Sequence, residues 1–326
     1  MSSRPSAVQP GREAAALDRF AADVRYYLSL TPRQLPSEYF YDALGSALFD
    51  AICRLPWYGI TRAESRLIAA HGADVFAHLD DVSTVVELGP GNGDKLRLLL
   101  QAGDDCRGRL TVHLVDVSQS ALDRAADTIG ELHNVQLITH CATYDAGLRD
   151  ASAQASGRTL VAFLGSNLGN FDPPGAAAFL HNIRMSLGSG DALLLGTDLV
   201  KPTETLVRAY DDPLGVTAAF NRNLLVRINR ELDGNLDLDR FVHRAVWNAA
   251  QSRIEMHLVA TAGQDVRIPR ADVEFHLAPG EAIWTESSYK YTPGSVADLL
   301  HSCGFRTAAQ WIDADDAFAL TLVEVT

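Results

Sequence analysis

The run Glu87-Leu88-Gly89-Pro90-Gly91-Asn92-Gly93-Asp94 has the make-up of a loop that holds a nucleotide-like ligand. Its glycines let backbone approach a ligand closely, and a helix expected near Asp94 presents unsatisfied amides to a polar or negatively charged group. A dinucleotide fingerprint G-x-G-x-x-G would need glycine where Asp94 stands, which disfavours an NAD-dependent oxidoreductase. Asp116, 23 residues past Gly93, ends the next β-branched run, where a carboxylate can accept hydrogen bonds from ribose hydroxyls. Glu286 and Ser288 form a second pair. Two apart in an extended run, they point to one face. A neutral imidazole offers one donor and one acceptor, and a carboxylate takes the first while a hydroxyl serves the second. The same spacing equally describes a solvent-facing polar strand.

Asn170 follows Gly165-Ser166-Asn167-Leu168-Gly169, where its side-chain oxygen can accept from a substrate amine or simply form a turn. Tyr210 reads as a carboxylate partner or as half-buried helix packing, and Met256 as pocket wall or core.

These residues need a scaffold, and the patterning supplies one. Thr84–Leu88, Leu110–Val117, Val135–His140, Thr159–Leu164 and Ala192–Leu199 are near-continuous apolar runs separated by helical stretches, the signature of a parallel sheet covered on both faces. Gly103 and Gly130 read as helix C-caps and Ser118 as an N-cap. Thr61-Arg62-Ala63-Glu64 has capping-box spacing for a helix from Thr61 through about Ala77. Pro32 and Pro36 break the helical pattern between Ala15 and Phe49 into short pieces. After Lys201 the alternation stops. A helix over Glu204–Ala219, a polar stretch over Asn229–Asp239 and strands at Phe241–Trp247 and Arg253–Ala260 describe an inserted lobe. A helix over Ser295–Cys303, capped by Gly304, then leads to a hairpin of Thr307–Ile312 and Ala317–Val325 about the turn Asp313–Asp316.

The 326 residues carry 28 Lys and Arg against 41 Asp and Glu, a formal charge of −13. With the cations scattered, no basic face for nucleic acid is expected. Four separated cysteines, Cys53, Cys106, Cys141 and Cys303, form no CxxC pair, so they read as reduced, mostly buried thiols without zinc. No run approaches the roughly 20 apolar residues of a membrane span, and the first 12 residues lack a signal-peptide core. A cytoplasmic protein is expected.

The loop at 87–93 resembles the E/D-x-G-x-G-x-G loop of S-adenosylmethionine (SAM) methyltransferases, and a helix followed by a hairpin is the usual ending of the class I methyltransferase sheet. More specifically, Tyr39-Phe40-Tyr41-Asp42, Gly45 to Phe49, Thr61 to Glu64, Gly165 to Asn170, Gly196 to Lys201, Ala209 to Asp212, Ala219 to Asn223 and Thr285-Glu286 resemble the histidine Nα-methyltransferases of ergothioneine biosynthesis, which form the trimethylated betaine hercynine. The resemblance runs from about residue 36 to the C-terminus. It implies an α/β chain with a class I (Rossmann-like) SAM methyltransferase domain at 63–196 and 287–326 and an inserted α+β substrate-binding lobe at 16–62 and 197–286, while residues 1–15, rich in Ser, Pro and Ala with no periodic apolar pattern, read as a disordered, fraying N-terminus. It also implies a monomer that uses SAM, no metal, and L-histidine as small-molecule substrate.

Carried over by motif, the cofactor contacts are Tyr41, Phe49, Gly89, Lys95, Asp116, Thr143, Tyr144 and Gly165, and histidine is held by Tyr58, Asn170, Tyr210, Met256, Glu286 and Ser288. Tyr41 and Asn170 take catalytic roles, with aromatic faces from Tyr41 and Phe49 suited to a quaternary ammonium product. Two departures stand out. Tyr58-Gly59-Ile60-Thr61-Arg62 replaces the family's Tyr-Tyr-Pro-Thr-Arg, and Thr143 stands where an acid is expected before Tyr144. Asp145, next to Tyr144, is expected on a strand end, pointing elsewhere. The rival readings are an Nα-methyltransferase for another amino acid, an oxidoreductase, and a non-catalytic SAM-binding protein.

Overall fold

The computed structural model describes residues 10–103 and 109–325. Helix α1 (Pro10–Leu28) is followed by the short strand β1 (Arg33–Gln34) and helices α2 (Ala43–Ile52) and α3 (Gly59–His78). Strands and helices then alternate: β2 (Val82–Leu88), α4 (Asp94–Ala102), β3 (Leu110–Asp116), α5 (Gln119–Ile129), β4 (Val135–Cys141), α6 (Tyr144–Gln154), β5 (Arg158–Phe163), α7 (Pro173–Met185) and β6 (Ala192–Asp198). Helices α8 (Thr203–Tyr210) and α9 (Val216–Leu232) precede β7 (Phe241–Asn248), β8 (Arg253–Ala260), β9 (Gln264–Ile268), β10 (Val273–Leu277) and β11 (Ala282–Tyr289). Helix α10 (Pro293–Ser302) and strands β12 (Phe305–Asp313) and β13 (Phe318–Val325) complete the chain.

Seven strands form one sheet in the order β12-β13-β6-β5-β2-β3-β4. The five strands of the alternating segment run parallel, whereas β13 is antiparallel to both β6 and β12, with Phe318 opposite Asp198. This is the class I methyltransferase arrangement. Every residue of β6 is buried, as expected of a strand covered on both faces. Chain order reverses at β2, which lies between β3 and β5, so the carboxyl ends of these strands form a topological switch point where open α/β sheets bind ligands.

The chain divides into two compact units. One comprises the segment up to Ile52 with Tyr210–Val246 and Glu255–Glu286; the other comprises Cys53–Ala209, Trp247–Ile254 and Ser287 onward. In this division 53–62, 197–209 and 247–254 fall in the sheet unit, and Thr197 and Asp198 complete β6 opposite Ala319 and Phe318. A smaller sheet has the order β1-β11-β8-β7, and β9 pairs with β10.

Several local expectations are corrected. Helix α1 begins at Pro10, inside the stretch expected to fray, while residues 1–9 lie outside the described residues. The expected helix over 204–219 is two helices. Gly215, at φ +75°, opens α9, and the Asp212 carboxylate accepts from the Val216 and Thr217 amides at 3.1 and 2.7 Å. The start of the expected polar stretch, from Asn229, is the last turn of α9. Helix α3 starts at Gly59, so Thr61-x-x-Glu64 is helix interior and no capping box. Tyr144 and Asp145 open α6 instead of ending a strand. Of the cysteines, Cys303 is buried, Cys53 half-buried and Cys141 exposed, and Cys106 lies outside the described residues. No described helix is long and apolar enough to cross a membrane.

Candidate active site

In the sheet unit, β2 delivers Glu87 and the glycine loop to the switch point. Gly89, Gly91 and Gly93 have φ of +74°, +59° and +81°, conformations that L side chains adopt at a cost. An added Cβ at Gly91 would meet nothing within 4 Å, so the loop's outer side is open. At Gly89 the same atom would lie 2.8 Å from the Tyr144 hydroxyl and 3.3 Å from Asn167 Nδ2. At Gly165, φ +80°, it would lie 3.0 Å from Lys95 Nζ and 3.5 Å from Asn167 Nδ2. Gly89, Lys95, Tyr144 and Gly165, selected separately along the sequence, therefore border one space. Asn167 joins them. It stands inside the quoted Gly165–Asn170 segment but was singled out only as part of the turn.

Tyr144 packs edge-on against Phe163 with ring centroids 5.5 Å apart, and burial raises its hydroxyl pKa. Thr143 precedes α6, its carbonyl accepting from the Gly147 amide at 2.9 Å. Asp116 ends β3, with Oδ1 accepting from the Ser118 amide at 2.8 Å, and burial lifts its carboxyl above the ordinary range.

Beneath this space lies a carboxylate that the sequence reading took for a cap. Glu64 is fully buried on α3; Oε2 accepts from Lys95 Nζ at 2.7 Å, and both oxygens accept from the Gly165 amide at 2.8 Å. A side chain at Gly196 would collide with Glu64 Oε1, so the glycine makes room for it. The signal available in sequence was an acid on the apolar stripe of α3, next to Ala63 and Leu67.

Glu87 is buried as well, and its carboxyl is pushed up to about 8, chiefly by desolvation and further by Glu64 and Asp116, against the opposing pull of Lys95. Its Oε2 has no hydrogen-bond partner among the described residues. A buried acceptor lacking a partner, three glycines at positive φ and the amino end of α4 suit a ligand carrying an ammonium group, a carboxylate and a ribose. SAM has all three, and the residues present fit it.

At the carboxyl ends of β5 and β6 the chain places the substrate candidates of this unit. Asn170 is exposed at the end of a short 3-10 turn, Asn167–Asn170. In that turn Gly169 approaches β11 so closely that a Cβ would lie 2.7 Å from the Tyr289 carbonyl and 3.5 Å from Ser288 Oγ. Asn170 and Ser288 are thus held by adjoining backbone. Tyr58 is 6% exposed at the start of α3, and its carbonyl accepts from Arg62.

The other unit holds Tyr41, Phe49, Tyr210, Met256 and Glu286. Tyr41 and Phe49 meet edge-on at 5.5 Å, and both meet Phe220, at 5.7 and 5.9 Å. The Asp42 carboxylate anchors this cluster, with Oδ1 accepting from the Gly45 amide and Asn223 Nδ2 and Oδ2 pairing with Arg230. Tyr210 is fixed by His243, whose Nε2 meets the Tyr210 carbonyl at 2.7 Å while Nδ1 meets Asn221 Nδ2 at 2.8 Å. These partners assign the proton to Nε2. Met256 is buried on β8, its carbonyl accepting from Thr285 Oγ1 on β11 at 3.0 Å, one residue before Glu286.

A class I sheet with a glycine-rich loop and strand-end acid at its switch point defines a SAM-dependent methyltransferase. Residues 20–325 match the family described as "Histidine-specific methyltransferase, SAM-dependent", and the chain belongs to that family. It is 43% identical over 309 residues to a histidine N-alpha-methyltransferase of Mycolicibacterium smegmatis, covering 94% of this chain and 95% of that one. It is also 43% identical to the histidine N-alpha-methyltransferase of Mycobacterium tuberculosis, covering 92% and 93%. Ergothioneine biosynthesis protein 1 of Neurospora crassa is 27% identical over 286 residues, which are 86% of this chain and 32% of that protein.

Proposed function

We propose that the enzyme methylates the α-amine of L-histidine three times to give hercynine, and that the residues described above divide the work as follows. SAM, when bound, supplies a methyl group already activated on its sulfonium. Gly89, Lys95, Asp116, Thr143, Tyr144 and Gly165 hold it, and Tyr41 and Phe49 are assigned to it by motif. Tyr58, Tyr210 and Met256 bound the substrate, Tyr210 through its hydroxyl to the carboxylate. Glu286 accepts from one imidazole nitrogen and Ser288 serves the other. Asn170 accepts from an amine N–H and so aims the nitrogen lone pair.

The nucleophile is the neutral amine. A positive charge next to an ammonium group favours its deprotonation, so no dedicated strong base is required. Positioning is then the main contribution of the protein. Tyr41, within the cluster of Phe49 and Phe220, offers an aromatic face to the growing ammonium. The observation that carries this reading is the convergence of Gly89, Lys95, Tyr144, Gly165 and Asn167 on one space, with Asn170 and Ser288 on adjoining backbone. We further place the enzyme in the cytoplasm as a monomer needing no metal.

The test is incubation with SAM and a panel of amino acids, read by mass spectrometry, with and without a chelator. Histidine gaining one, two and three methyl groups at equal rates in both conditions is expected. Methylation of tryptophan or tyrosine but not histidine overturns the substrate assignment, and loss of activity on chelation overturns the metal-free one. Slowing of any of the three transfers is expected in Tyr41→Phe; unchanged rates remove its hydroxyl from the mechanism.

A further inference from the structure

Gly59 opens α3 with a φ outside the left-handed region, so the backbone there does not require glycine. Space does. A Cβ on Gly59 would lie 2.2 Å from Asp316 Oδ1 and 2.5 Å from Asp316 Cγ, so the carboxylate of the β12–β13 turn stands where any side chain at position 59 would go. The departure from Tyr-Tyr-Pro-Thr-Arg at Gly59 and the acid at position 316 are thus two halves of one arrangement, both within the sheet unit.

Asp316 is held in that place by its own contacts. Its Oδ2 accepts from Arg66 Nη2 at 2.8 Å, and Arg66 also grips Asp313 through Nε and Nη2 at 2.7 and 2.8 Å. The Asp316 amide donates to Asp313 Oδ1 at 2.9 Å, Lys201 Nζ donates to the Asp316 carbonyl, and the Leu199 amide donates to the Ala317 carbonyl at 3.0 Å. The turn is therefore fastened both to α3 and to the segment that follows β6.

The first amides of a helix have no partner within it. In α3 the first turn contains no acid of its own, and Tyr58 at the N-cap makes no side-chain cap. Glycine loosens such a turn, whereas a carboxylate at the amino end stabilises it. Tyr58 moves with that turn, because the Arg62 guanidinium donates to the carbonyls of Leu55, Pro56 and Tyr58 at 2.8, 2.8 and 3.2 Å. We propose that Asp316 is a positioning residue for substrate binding: pinned by Arg66 in the space that Gly59 leaves, it orders the first turn of α3 and so holds Tyr58 in place for the amino acid.

This rests on the assignment of Tyr58 to histidine. It goes further by locating the support for that contact in the last hairpin of the chain. Fraying of the turn lowers the fraction of enzyme with Tyr58 in place and raises the apparent KM accordingly, while saturating substrate restores the ordered form and keeps kcat. The cofactor provides the control, because Glu64, which anchors Lys95 and Gly165, lies one turn further along α3.

The experiment compares wild type, Asp316→Gly, Gly59→Ala and the double variant by KM and kcat for histidine and by Kd for SAM. Asp316→Gly is expected to raise KM about fivefold, the worth of a carboxylate at a helix amino end, with kcat and the SAM Kd within about twofold of wild type. Gly59→Ala drives a methyl group into the Asp316 carboxylate and should raise KM to a similar extent. In the double variant that space is free, and alanine, the better helix former, should bring KM below that of Asp316→Gly alone. The same substitution at position 59 thus changes sign with the residue at position 316, which a general loss of stability does not produce.

An unchanged KM in Asp316→Gly, a SAM Kd that rises in step with KM, or a Gly59→Ala effect of the same sign in both backgrounds overturns the proposal. Tyr58→Leu separates this failure from failure of the Tyr58 assignment. A raised KM in Tyr58→Leu beside a wild-type KM in Asp316→Gly removes Asp316 alone, whereas a wild-type KM in Tyr58→Leu removes Tyr58 from the substrate and the proposal with it. Should Asp316→Gly fail to fold, Asp316→Asn keeps the volume and loses the charge. A KM raised about twofold to threefold at an unchanged SAM Kd then supports the proposal, and a wild-type KM overturns it.

Discussion

Glu64 offers a direct way to test how the cofactor site is held. Glu64→Gln keeps the size of the side chain and one carbonyl acceptor for the Gly165 amide, but it removes the charge from Lys95 and one of the two oxygens facing that amide. Breaking a buried ion pair by removing one partner costs about 3–5 kcal/mol. Here Lys95 keeps 21% of its side chain in contact with solvent, and the amide still accepts from Gly165, so a loss of roughly 2 kcal/mol in stability is expected. The effect on ligand binding is separate. A Cβ placed on Gly165 would lie 3.0 Å from Lys95 Nζ at the candidate cofactor space, and both residues lose their common anchor. About 1.4 kcal/mol of binding energy, a tenfold rise in the Kd for SAM, is the corresponding expectation. Titration calorimetry with SAM on the full chain measures the second quantity and denaturant unfolding the first. Gly196→Ala pushes the same carboxylate aside from behind and should weaken SAM in the same sense. If Glu64→Gln lowers stability but leaves the SAM Kd within twofold of wild type, Glu64 is a core ion pair and nothing more, and the reasoning is wrong.

Glu87, with its carboxyl pushed up to about 8, binds a proton more tightly folded than unfolded, so stability of the ligand-free enzyme falls as pH rises from 4.5 through about 8 and is flat beyond. Glu87→Gln abolishes that dependence: its Tm should match wild type near pH 5 and exceed it by at least about 3 °C at pH 9, as scanning calorimetry would show. Asp42 behaves in the opposite sense. Burial pushes its carboxyl up, but hydrogen bonds from Arg230, the Gly45 amide and Asn223 outweigh this and hold it low, so its contribution is present above 3.8 and is lost as pH falls through the lower folded value. Asp42→Asn should cost about 2 kcal/mol at neutral pH, measured by urea unfolding, with the difference from wild type shrinking in acid.

The sheet was legible because parallel strands buried on both faces are written as unbroken apolar runs. Leu193, Leu194 and Leu195 on β6 have no solvent-facing alternative. The cofactor loop was legible because glycine at positive φ is hard to replace, and Gly89, Gly91 and Gly93 announce it. What sequence could not convey was partnership across the chain. Glu64 looked like a cap because cap spacing is local, whereas its partners Lys95 and Gly165 are 31 and 101 residues away. Lys290 carried no signal at all, since a lysine at the end of a strand is ordinarily solvated, and its pairing with Asp198 and Ser288 compensates its burial. The single helix expected over 204–219 failed for a smaller reason: Asp212 and Gly215 together form a helix start that competes with continuation.

The order in which the chain is made bears on the lobe. Its first segment, with Phe20, Val24 and Leu28 buried, finds its partners very late. Arg33 pairs with Ile283, Asp42 receives Asn223 and Arg230, and Arg227 lies over the Phe20 ring. At 5–20 residues per second a ribosome needs on the order of tens of seconds to travel from residue 33 to residue 283. During that interval the amino-terminal helix is an apolar surface in search of a neighbour, while the alternating segment from β2 to β6 can already condense on local contacts. Nascent chains should therefore engage holding chaperones through residues 10–52, and the lobe should be the last part of the enzyme to acquire resistance to protease.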